Sequence, residues 1–307
     1  MSMAPLVNFG MAPELNEPVL VVALEGWIDA GSAAANAMSV MLGRTDGEPL
    51  AEFNTDRLLD HRARRPIMHL VNGLITNMAW PSIELRATAD SEGRDILLLV
   101  GAEPDFEWRS FSETVVDLAS SFGCRMVIGL GAYPAAVAHT RETALSVTTS
   151  SQELSNTLHG YVRGTLDVPG GIHSVLDVAC NDAGIPALGL WAQVPHYVAS
   201  MSYPAASAAL LEGLAEVAGL DIEHSQLSSD ARATRLRLDE LVAENPQHQT
   251  MVHQLEELMN EGVGGPDDAP TFGFDRIPSG DELAAELQEY LQNHPDDDGS
   301  DTPDGPT

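Results

Sequence analysis

The sequence predicts a three-layer α/β/α sandwich with a mainly parallel sheet, followed by a C-terminal helical extension. Two observations lead to this fold class. Short apolar runs rich in β-branched residues, such as residues 19–24, are typical of strands that are buried on both faces of a sheet. Segments with helical periodicity separate these runs. Strands that alternate with helices usually pair in parallel and carry helices on both faces.

The elements of the sandwich follow one another in chain order. The predicted strands cover residues 19–24, 83–87, 96–100, 126–130 and 185–194. The predicted helices cover residues 111–122, 171–183 and 204–218, and one earlier segment that ends near residue 41. Asp29 or Ser32 is the candidate N-cap of that earlier helix, because both side chains accept hydrogen bonds from free backbone N–H groups.

Composition divides the chain into three regions. Residues 1–222 form the predicted sandwich domain. Residues 223–294 form the predicted helical extension, with helices over 228–242 and 251–259 and a capping box at 279–282. Short helices of this kind need the sheet domain, each other or another subunit to be stable. Residues 295–307 contain five aspartates and no large apolar side chain, which predicts a disordered acidic tail.

Charge limits the classes of partner. The chain has 46 acidic and 15 basic residues, a formal net charge of −31, so we expect nucleic acid and anionic membrane surfaces to repel it. No apolar stretch reaches the length of about 18–20 residues that a membrane-spanning helix needs, and no signal peptide is evident. These observations predict a cytoplasmic protein that binds neither nucleic acid nor membrane.

The basic and sulfur-containing residues narrow the chemistry further. All 15 basic residues are arginine, which excludes Schiff-base catalysis by a lysine and the P-loop. The group of Arg62, Arg64 and Arg65 is interpreted as a strand edge or as partners for nearby acids. Cys124 and Cys180 lie in apolar or helical patterns and are predicted to be buried thiols. Without Cys/His ligand spacing, neither a metal nor a cofactor is expected.

Polar and aromatic side chains follow four of the predicted strands, directly where each strand ends. Because the carboxyl ends of parallel strands meet at one edge, and ligands of open α/β sheets bind there, we expect these side chains to converge. The sequence therefore predicts a ligand- or partner-binding edge. Its candidate residues are Glu25, Trp27, Asp29, Glu103, Asp105, Trp108, His139, Arg141, His196 and Tyr197.

Two interpretations of this edge stay open. In an enzyme, Asp29 and Asp105 with His139 or His196 supply general acid–base groups, and Arg141 binds a phosphate or carboxylate. The chain contains no G-x-S-x-G, H-E-x-x-H or complete G-x-G-x-x-G motif, so no catalytic residue is assigned.

In the structural interpretation, the same side chains support the fold. Glu25 and Asp29 cap the following helix, and the tryptophans pack in the core. Glu103 and Asp105 then pair with Arg109 or Arg141, and the histidines are satisfied structural residues.

Four segments of the sequence resemble the conserved blocks of the PAC2 family, which is named for a eukaryotic proteasome assembly chaperone. They are PVLVVALEGWIDAGSAA (18–34), GAEPDFEW (101–108), AYPAAVAHTR (132–141) and GIPALGLWAQVPHYVA (184–199). The shared blocks end near residue 220, and the helical extension and acidic tail are similar to those of longer actinobacterial members.

The resemblance implies a phosphorylase/hydrolase-like α/β/α fold and a homo-oligomer, with a trimer as the first expectation. The family supplies no accepted catalytic residues, so none is carried over to this chain. The favoured expectation is a non-enzymatic assembly chaperone or scaffold that binds other copies of itself and a further protein. The alternative is a phosphorylase- or hydrolase-type enzyme or small-molecule binder that uses the carboxyl edge.

Overall fold

The computed structural model describes residues 5–10, 13–26, 28–45, 48–159, 161 and 167–261. The predicted capping box at 279–282 and the predicted acidic tail at 295–307 lie outside the described residues. Within the described part of the chain, no helix is both long enough and apolar enough to cross a bilayer.

The strands and helices are numbered in chain order. The strands are β1 (Val7–Phe9), β2 (Val19–Glu25), β3 (Ala51–Phe53), β4 (Ile67–Val71), β5 (Leu74–Ala79), β6 (Ile83–Ala89), β7 (Asp95–Ala102), β8 (Met126–Ala135), β9 (Leu145–Thr148) and β10 (Ala187–Pro195). The α-helices are α1 (Ala33–Leu42), α2 (Thr55–Leu58), α3 (Trp108–Ser121), α4 (Gln152–Thr157), α5 (Ile172–Asp182), α6 (Pro204–Ala218), α7 (Ser225–Ala243) and α8 (Pro246–Glu261).

An eight-stranded sheet in the order β1-β3-β6-β7-β2-β8-β10-β9 forms the centre of the fold. The four middle strands, β7, β2, β8 and β10, run parallel to one another. The strands on either side of them are antiparallel to their neighbours. The predicted mainly parallel sheet is therefore confirmed. Strands β4 and β5 form a separate two-stranded sheet, which the sequence analysis did not identify.

Alternate residues of the middle strands face two separate cores, as expected for a sheet with period-two side chains. Val19 and Val21 of β2 pack in the core beneath α1 and α6. Leu20 and Val22 pack in the core beneath α3 and α5. Helices therefore cover both faces of the sheet, and the predicted three-layer sandwich is confirmed. The continuous apolar run 19–24 is explained by this burial on both sides.

Several predicted boundaries shift for identifiable reasons. Strand β8 continues five residues beyond the predicted end, because it stays paired with β10 up to the pair Pro195 and Ala135. Helix α7 begins at Ser225, three residues before the predicted start. Cys124 and Cys180 are buried as predicted, and burial raises the pKa of each thiol to about 12. They are therefore inert thiols at neutral pH.

Candidate functional site

The carboxyl ends of the four parallel strands lie at one edge of the sheet, here called the carboxyl edge. Glu25, at the end of β2, pairs in register with Ala102 at the end of β7. Asp29 forms an isolated bridge with Ala132 of β8. The strand ends of β8 and β10 are paired up to Pro195, directly before His196. Trp27 lies outside the described residues.

Arg64 organises the part of the carboxyl edge that follows β2 and β7. Its Nη1 lies 2.5 Å from Oδ1 of Asp105, and its Nη2 donates to the backbone oxygen of Glu25 over 3.3 Å. The other carboxylate oxygen of Asp105 accepts from the backbone N–H of Asp60 at 2.8 Å. Asp105 was expected to pair with Arg109 or Arg141, and its partner is instead Arg64. Both oxygens of this carboxylate are engaged within the fold.

Glu103 stabilises the start of a neighbouring helix. Its Oε1 accepts from the backbone N–H of Ile172, the first residue of α5, at 2.8 Å. A carboxylate at this position satisfies a free N–H group and interacts favourably with the helix dipole. The backbone of Gly26 passes so close that a Cβ atom there would lie 2.7 Å from Cβ of Glu103. The tight turn after β2 thus depends on a residue without a side chain.

The first tryptophan after β7 also has a structural role. The indole N–H of Trp108 donates to the backbone oxygen of Pro104. Its partly buried ring packs against the core beneath α3 and α5. This placement follows the structural interpretation of Trp108 as a packing residue rather than a ligand platform.

Asp29 caps helix α1. Its two carboxylate oxygens accept from the backbone N–H groups of Ala34 at 2.8 Å and Ala35 at 3.0 Å. Ser32, the alternative candidate, has a left-handed backbone (φ 51°) and makes no capping hydrogen bond with its side chain. Burial raises the pKa of Asp29, and the hydrogen bonds from the helix oppose that shift. Of the two caps that the sequence allows, the structure selects Asp29.

The imidazole of His139 is buried and held between two side chains. Tyr197 accepts the backbone N–H of His139 at 2.8 Å, and its oxygen lies 2.6 Å from Nδ1 of the ring. Nε2 lies 3.2 Å from Oδ1 of Asp239 on α7. Because a carboxylate only accepts hydrogen bonds, this contact places a ring proton on Nε2, and in the neutral ring Nδ1 then accepts from the hydroxyl of Tyr197.

Burial governs the titration of this group. It lowers the pKa of His139, although Asp239 acts in the opposite direction. Burial also raises the pKa of Tyr197 to about 12. A tyrosine with a raised pKa is a poor nucleophile at neutral pH. The Tyr197–His139–Asp239 array resembles a proton relay in its order, yet its electrostatics favour neutral and inert groups.

Helices α7 and α8 cover the loop that contains His139. The backbone N–H of Ala138 points to Sδ of Met259 at 3.3 Å, and Ala138 packs with Val252 and Leu255 of α8. Further polar contacts join the same loop to both helices: Thr140 to Glu256, Arg141 to Asn260 at 2.9 Å, and Arg235 to the backbone oxygen of Thr140 at 2.8 Å. His139 is consequently 3% exposed.

The predicted residues thus separate into distinct structural groups. Asp105 is joined to Arg64, and His139 to Tyr197 and Asp239. Among the described residues, no hydrogen bond or ion pair links Asp105 to His139 or His196. His196 is exposed, and its ring contacts Tyr197 edge-on with centroids 5.3 Å apart.

Two cavities among the described residues are lined by none of the predicted residues. One encloses about 10 Å³ beneath α5, next to Gly129 and His173, and is too small for more than one water. The other is an open depression of about 360 Å³ along α8, from Pro246 to Gln254. Within the described ranges, no three His, Cys, Asp or Glu side chains are grouped to hold a metal ion.

Two features of the structure were missed by the sequence analysis. Asp239 is 100 residues from His139 and belongs to a helix that was predicted only as part of the helical extension. The β4–β5 hairpin was also missed, although Asn72-Gly73 between two apolar runs is a strong hairpin signal. Arg64 was recognised only as a partner for unspecified acids.

Comparisons with known proteins point in one direction. The PAC2 family model matches residues 23–242, so the match includes nearly all of α7 rather than ending near residue 220 as expected. A Corynebacterium glutamicum protein of unknown function is 32% identical, with a TM-score of 0.78, over 84% of this chain and 98% of that chain. A Mycobacterium tuberculosis protein of unknown function is 31% identical, with a TM-score of 0.76, over 95% and 94%.

A third solved structure has a more specific description. It is a Mycobacterium tuberculosis proteasome-assembly chaperone homologue that is 31% identical, with a TM-score of 0.70, over 76% of this chain and 99% of that chain. Among curated proteins, no match was found.

Proposed function

The chain belongs to the PAC2 family, and on that basis we propose that it is a non-enzymatic assembly chaperone or scaffold that acts through protein–protein contacts in the cytoplasm. One observation carries the proposal most directly. Helices α7 and α8 lie over the loop of His139, at the edge where an α/β protein of this type would otherwise bind a small molecule.

An enzyme needs accessible reactive groups in a cavity that holds its substrate. The imidazole of His139 is buried, and both of its ring nitrogens are engaged. The carboxylates of Asp29 and Asp105 are bound to backbone N–H groups and to Arg64. These hydrogen bonds and ion pairs favour a structural role for the polar residues of the carboxyl edge. They favour the interpretation that the chain binds other proteins rather than small molecules.

The choice of partner follows from the family and from the charge. A relative is described as a proteasome-assembly chaperone homologue, which favours partners that are proteins. The net charge of −31 disfavours nucleic acid and anionic membranes. We propose self-association, with a trimer as the first state to test, together with contact to a further protein. In this proposal residues 1–222 form the scaffold, 223–294 the helical extension and 295–307 an acidic tail.

The proposal is tested by gentle affinity purification of the full chain from its native cells, followed by mass spectrometry and reconstitution with purified candidates. We expect a protein partner that binds the purified chain directly. The control is the same purification with bait in which Glu240, an exposed residue of α7, is changed to Gln. Recovery of no direct partner, together with a monomeric chain in solution, would argue against the proposal.

The alternative is an enzyme or small-molecule binder, and the Tyr197–His139–Asp239 array is the observation that favours it. Thermal-shift measurements with nucleosides, phosphate and phosphoesters test this alternative. A ligand that raises the unfolding midpoint of the wild type, but not that of the Asp29→Ala and His139→Ala variants, would support it. We expect no such ligand, because α7 and α8 cover the array.

A further inference from the structure

A β-hairpin projects from the sandwich between α2 and β6. We call it the arm and define it as β4 (Ile67–Val71), β5 (Leu74–Ala79) and their two-residue turn. Asn72 and Gly73 have positive φ angles of 50° and 81°, which is the type I′ geometry that matches the twist of a hairpin. The strands pair with each other and not with the eight-stranded sheet. Every residue of both strands is exposed.

The side chains of the arm are of the apolar types that proteins usually bury, although here they are exposed. Seven large apolar residues of the arm, together with Trp80 directly after β5, are 37–75% exposed. They are Ile67, Met68, Leu70, Val71, Leu74, Ile75, Met78 and Trp80. Together they expose on the order of 800 Å² of surface, which exceeds the usual apolar patch of a monomer and is comparable to one side of a specific interface. An isolated two-stranded hairpin is also only marginally stable in water. We therefore expect the apolar side chains of the arm to be buried against a partner surface.

The segment directly before the arm differs in charge from the whole chain. The segment 62–81 contains three arginines and no acidic residue, whereas the chain as a whole has a net charge of −31. Arg62 and Arg65, at the base of the arm, are exposed and have no ion-pair partner among the described residues. An apolar arm with a basic base is complementary to a second copy of a strongly acidic chain.

We propose that the arm is a self-association element, which docks on the acidic surface of a second copy of this chain. This inference specifies the self-association part of the proposed function and assigns it to a segment. The contact is heterologous, because the arginines at the bases of two arms would repel each other. Each chain therefore offers its arm to one neighbour and its body to another. Such an arrangement closes into a ring when the rotation between copies permits it.

The docking combines two kinds of interaction with different salt dependence. The apolar side chains of the arm supply contact area, which salt does not screen. Arg62 and Arg65 supply attraction to acidic groups, which is screened at high ionic strength. The outer edges of β4 and β5 also present unpaired backbone groups, which an adjacent strand or side chains of the second copy can satisfy.

Sedimentation velocity of the full chain over a range of concentrations tests the inference. The first variant combines Ile67→Thr with Leu74→Thr, since threonine keeps the preference for strands and removes apolar surface. The second combines Arg62→Glu with Arg65→Glu, outside the strands. The matched control is Val178→Thr, which changes an equally apolar residue that is 48% exposed on α5.

We expect the wild type and the control to associate, and both arm variants to need at least about tenfold higher concentration for the same degree of association. Raising the salt concentration should weaken the wild type and bring it closer to the second variant. A wild type that stays monomeric overturns the inference. Arm variants that associate as well as the control also overturn it, while leaving self-association through another surface, and hence the proposed function, intact.

Cross-linking identifies what the arm touches. A photo-reactive group is attached to the single exposed thiol of a Thr76→Cys variant, since Cys124 and Cys180 are buried. The variant is mixed with wild type that carries heavy isotopes and no photo-reactive group, so links between chains are distinguished from links within one chain. We expect links from position 76 to acidic surfaces of the heavy chain. Links confined to the arm's own chain overturn the inference.

Discussion

The buried imidazole of His139 lies 3.2 Å from the carboxylate of Asp239, a residue 100 positions further along the chain. This contact joins the carboxyl edge of the sheet to α7 in the helical region. His139 contributes a side chain that is 1% exposed, whereas the side chain of Asp239 is 45% exposed. The pair therefore lies at the edge of the surface that α7 and α8 cover, and solvent reaches it from the side of Asp239.

Removal of Asp239 should loosen the cover. In an Asp239→Ala variant, His139 keeps its hydrogen bond to Tyr197 but loses the acceptor of its Nε2 proton. We expect faster hydrogen exchange in α7 and α8 and a loss of about 1 kcal/mol in the free energy of unfolding. The matched control is Glu240→Gln on the same helix, which should leave both quantities unchanged. Equal exchange in the two variants would show that the pair does not hold the helices.

Removal of the helix cap at Asp29 should destabilise the sandwich itself. An Asp29→Ala variant leaves the N–H groups of Ala34 and Ala35 without their acceptors. We expect a loss of about 1–2 kcal/mol in urea unfolding, the usual range for caps of this type. Asp29→Asn retains one oxygen acceptor and should lose less. Equal losses in the two variants would mean that the negative charge, which both substitutions remove, matters more than the remaining oxygen acceptor.

A methyl group at Gly131 should displace a neighbouring indole. A Cβ atom built on Gly131 lies 2.3 Å from Cζ3 of Trp191. We expect Gly131→Ala to lower the free energy of unfolding by about 1–3 kcal/mol, as in other overpacked sites. The emission of Trp191 should shift as the ring moves. Gly43→Ala is the control, because the nearest atom to its Cβ is 3.5 Å away and its φ is −60°.

His173 should make stability depend on pH. Burial lowers the pKa of His173 to about 4, and the backbone N–H of Leu24 points to its Nε2, which can accept only in the neutral ring. Because the folded pKa is below the unfolded value of about 6.5, the stabilising contribution is complete above that pH and is lost as the pH falls toward 4. The advantage of the wild type over His173→Gln should therefore shrink by on the order of 2 kcal/mol across this window.

Asp177 and His173 line the same small cavity beneath α5. Asp177 provides a control, because its effect on stability should change with pH in the opposite direction. Burial raises the pKa of Asp177 to about 6, and its hydrogen bonds from Ser150 and Asn181 only partly offset the shift. Its contribution is complete below about pH 3.8 and is lost as the pH rises through 6. Asp177→Asn should thus gain relative to the wild type as the pH rises. Urea unfolding at several pH values checks both signs, and parallel curves would contradict both assignments.

The fold was predictable because the pattern that specifies it is local. The run 19–24 is buried on both faces of the sheet, as its continuous apolar character indicates. Helix α6 has the predicted bounds, since Pro204 begins it and Gly219 ends it in a left-handed conformation. The arm was missed although Asn72-Gly73 between two apolar runs is a local hairpin signal, and only its exposure could not have been predicted from its apolar residues.

The sequence predicted the location of the candidate site but not the contacts between its side chains. Parallel pairing places the carboxyl ends of β2, β7, β8 and β10 at one edge, and the order of these strands is known only from the structure. The partner of each side chain does not, because Arg64 and Asp105 are 41 residues apart and His139 and Asp239 are 100 apart. Contacts of this kind depend on how loops and helices pack, which local periodicity does not encode.

By itself, the sequence determined the three-layer architecture, the buried thiols, the helix-capping potential of Asp29 and the resemblance to the PAC2 family. These properties follow from residue types and spacings over a few turns or strands. Only the tertiary structure decided that α7 and α8 cover the loop of His139, that Arg64 neutralises Asp105, and that the arm extends unpaired from the sandwich. The reason is that these relationships join residues distant in sequence, and their geometry is fixed by packing and burial rather than by local preference.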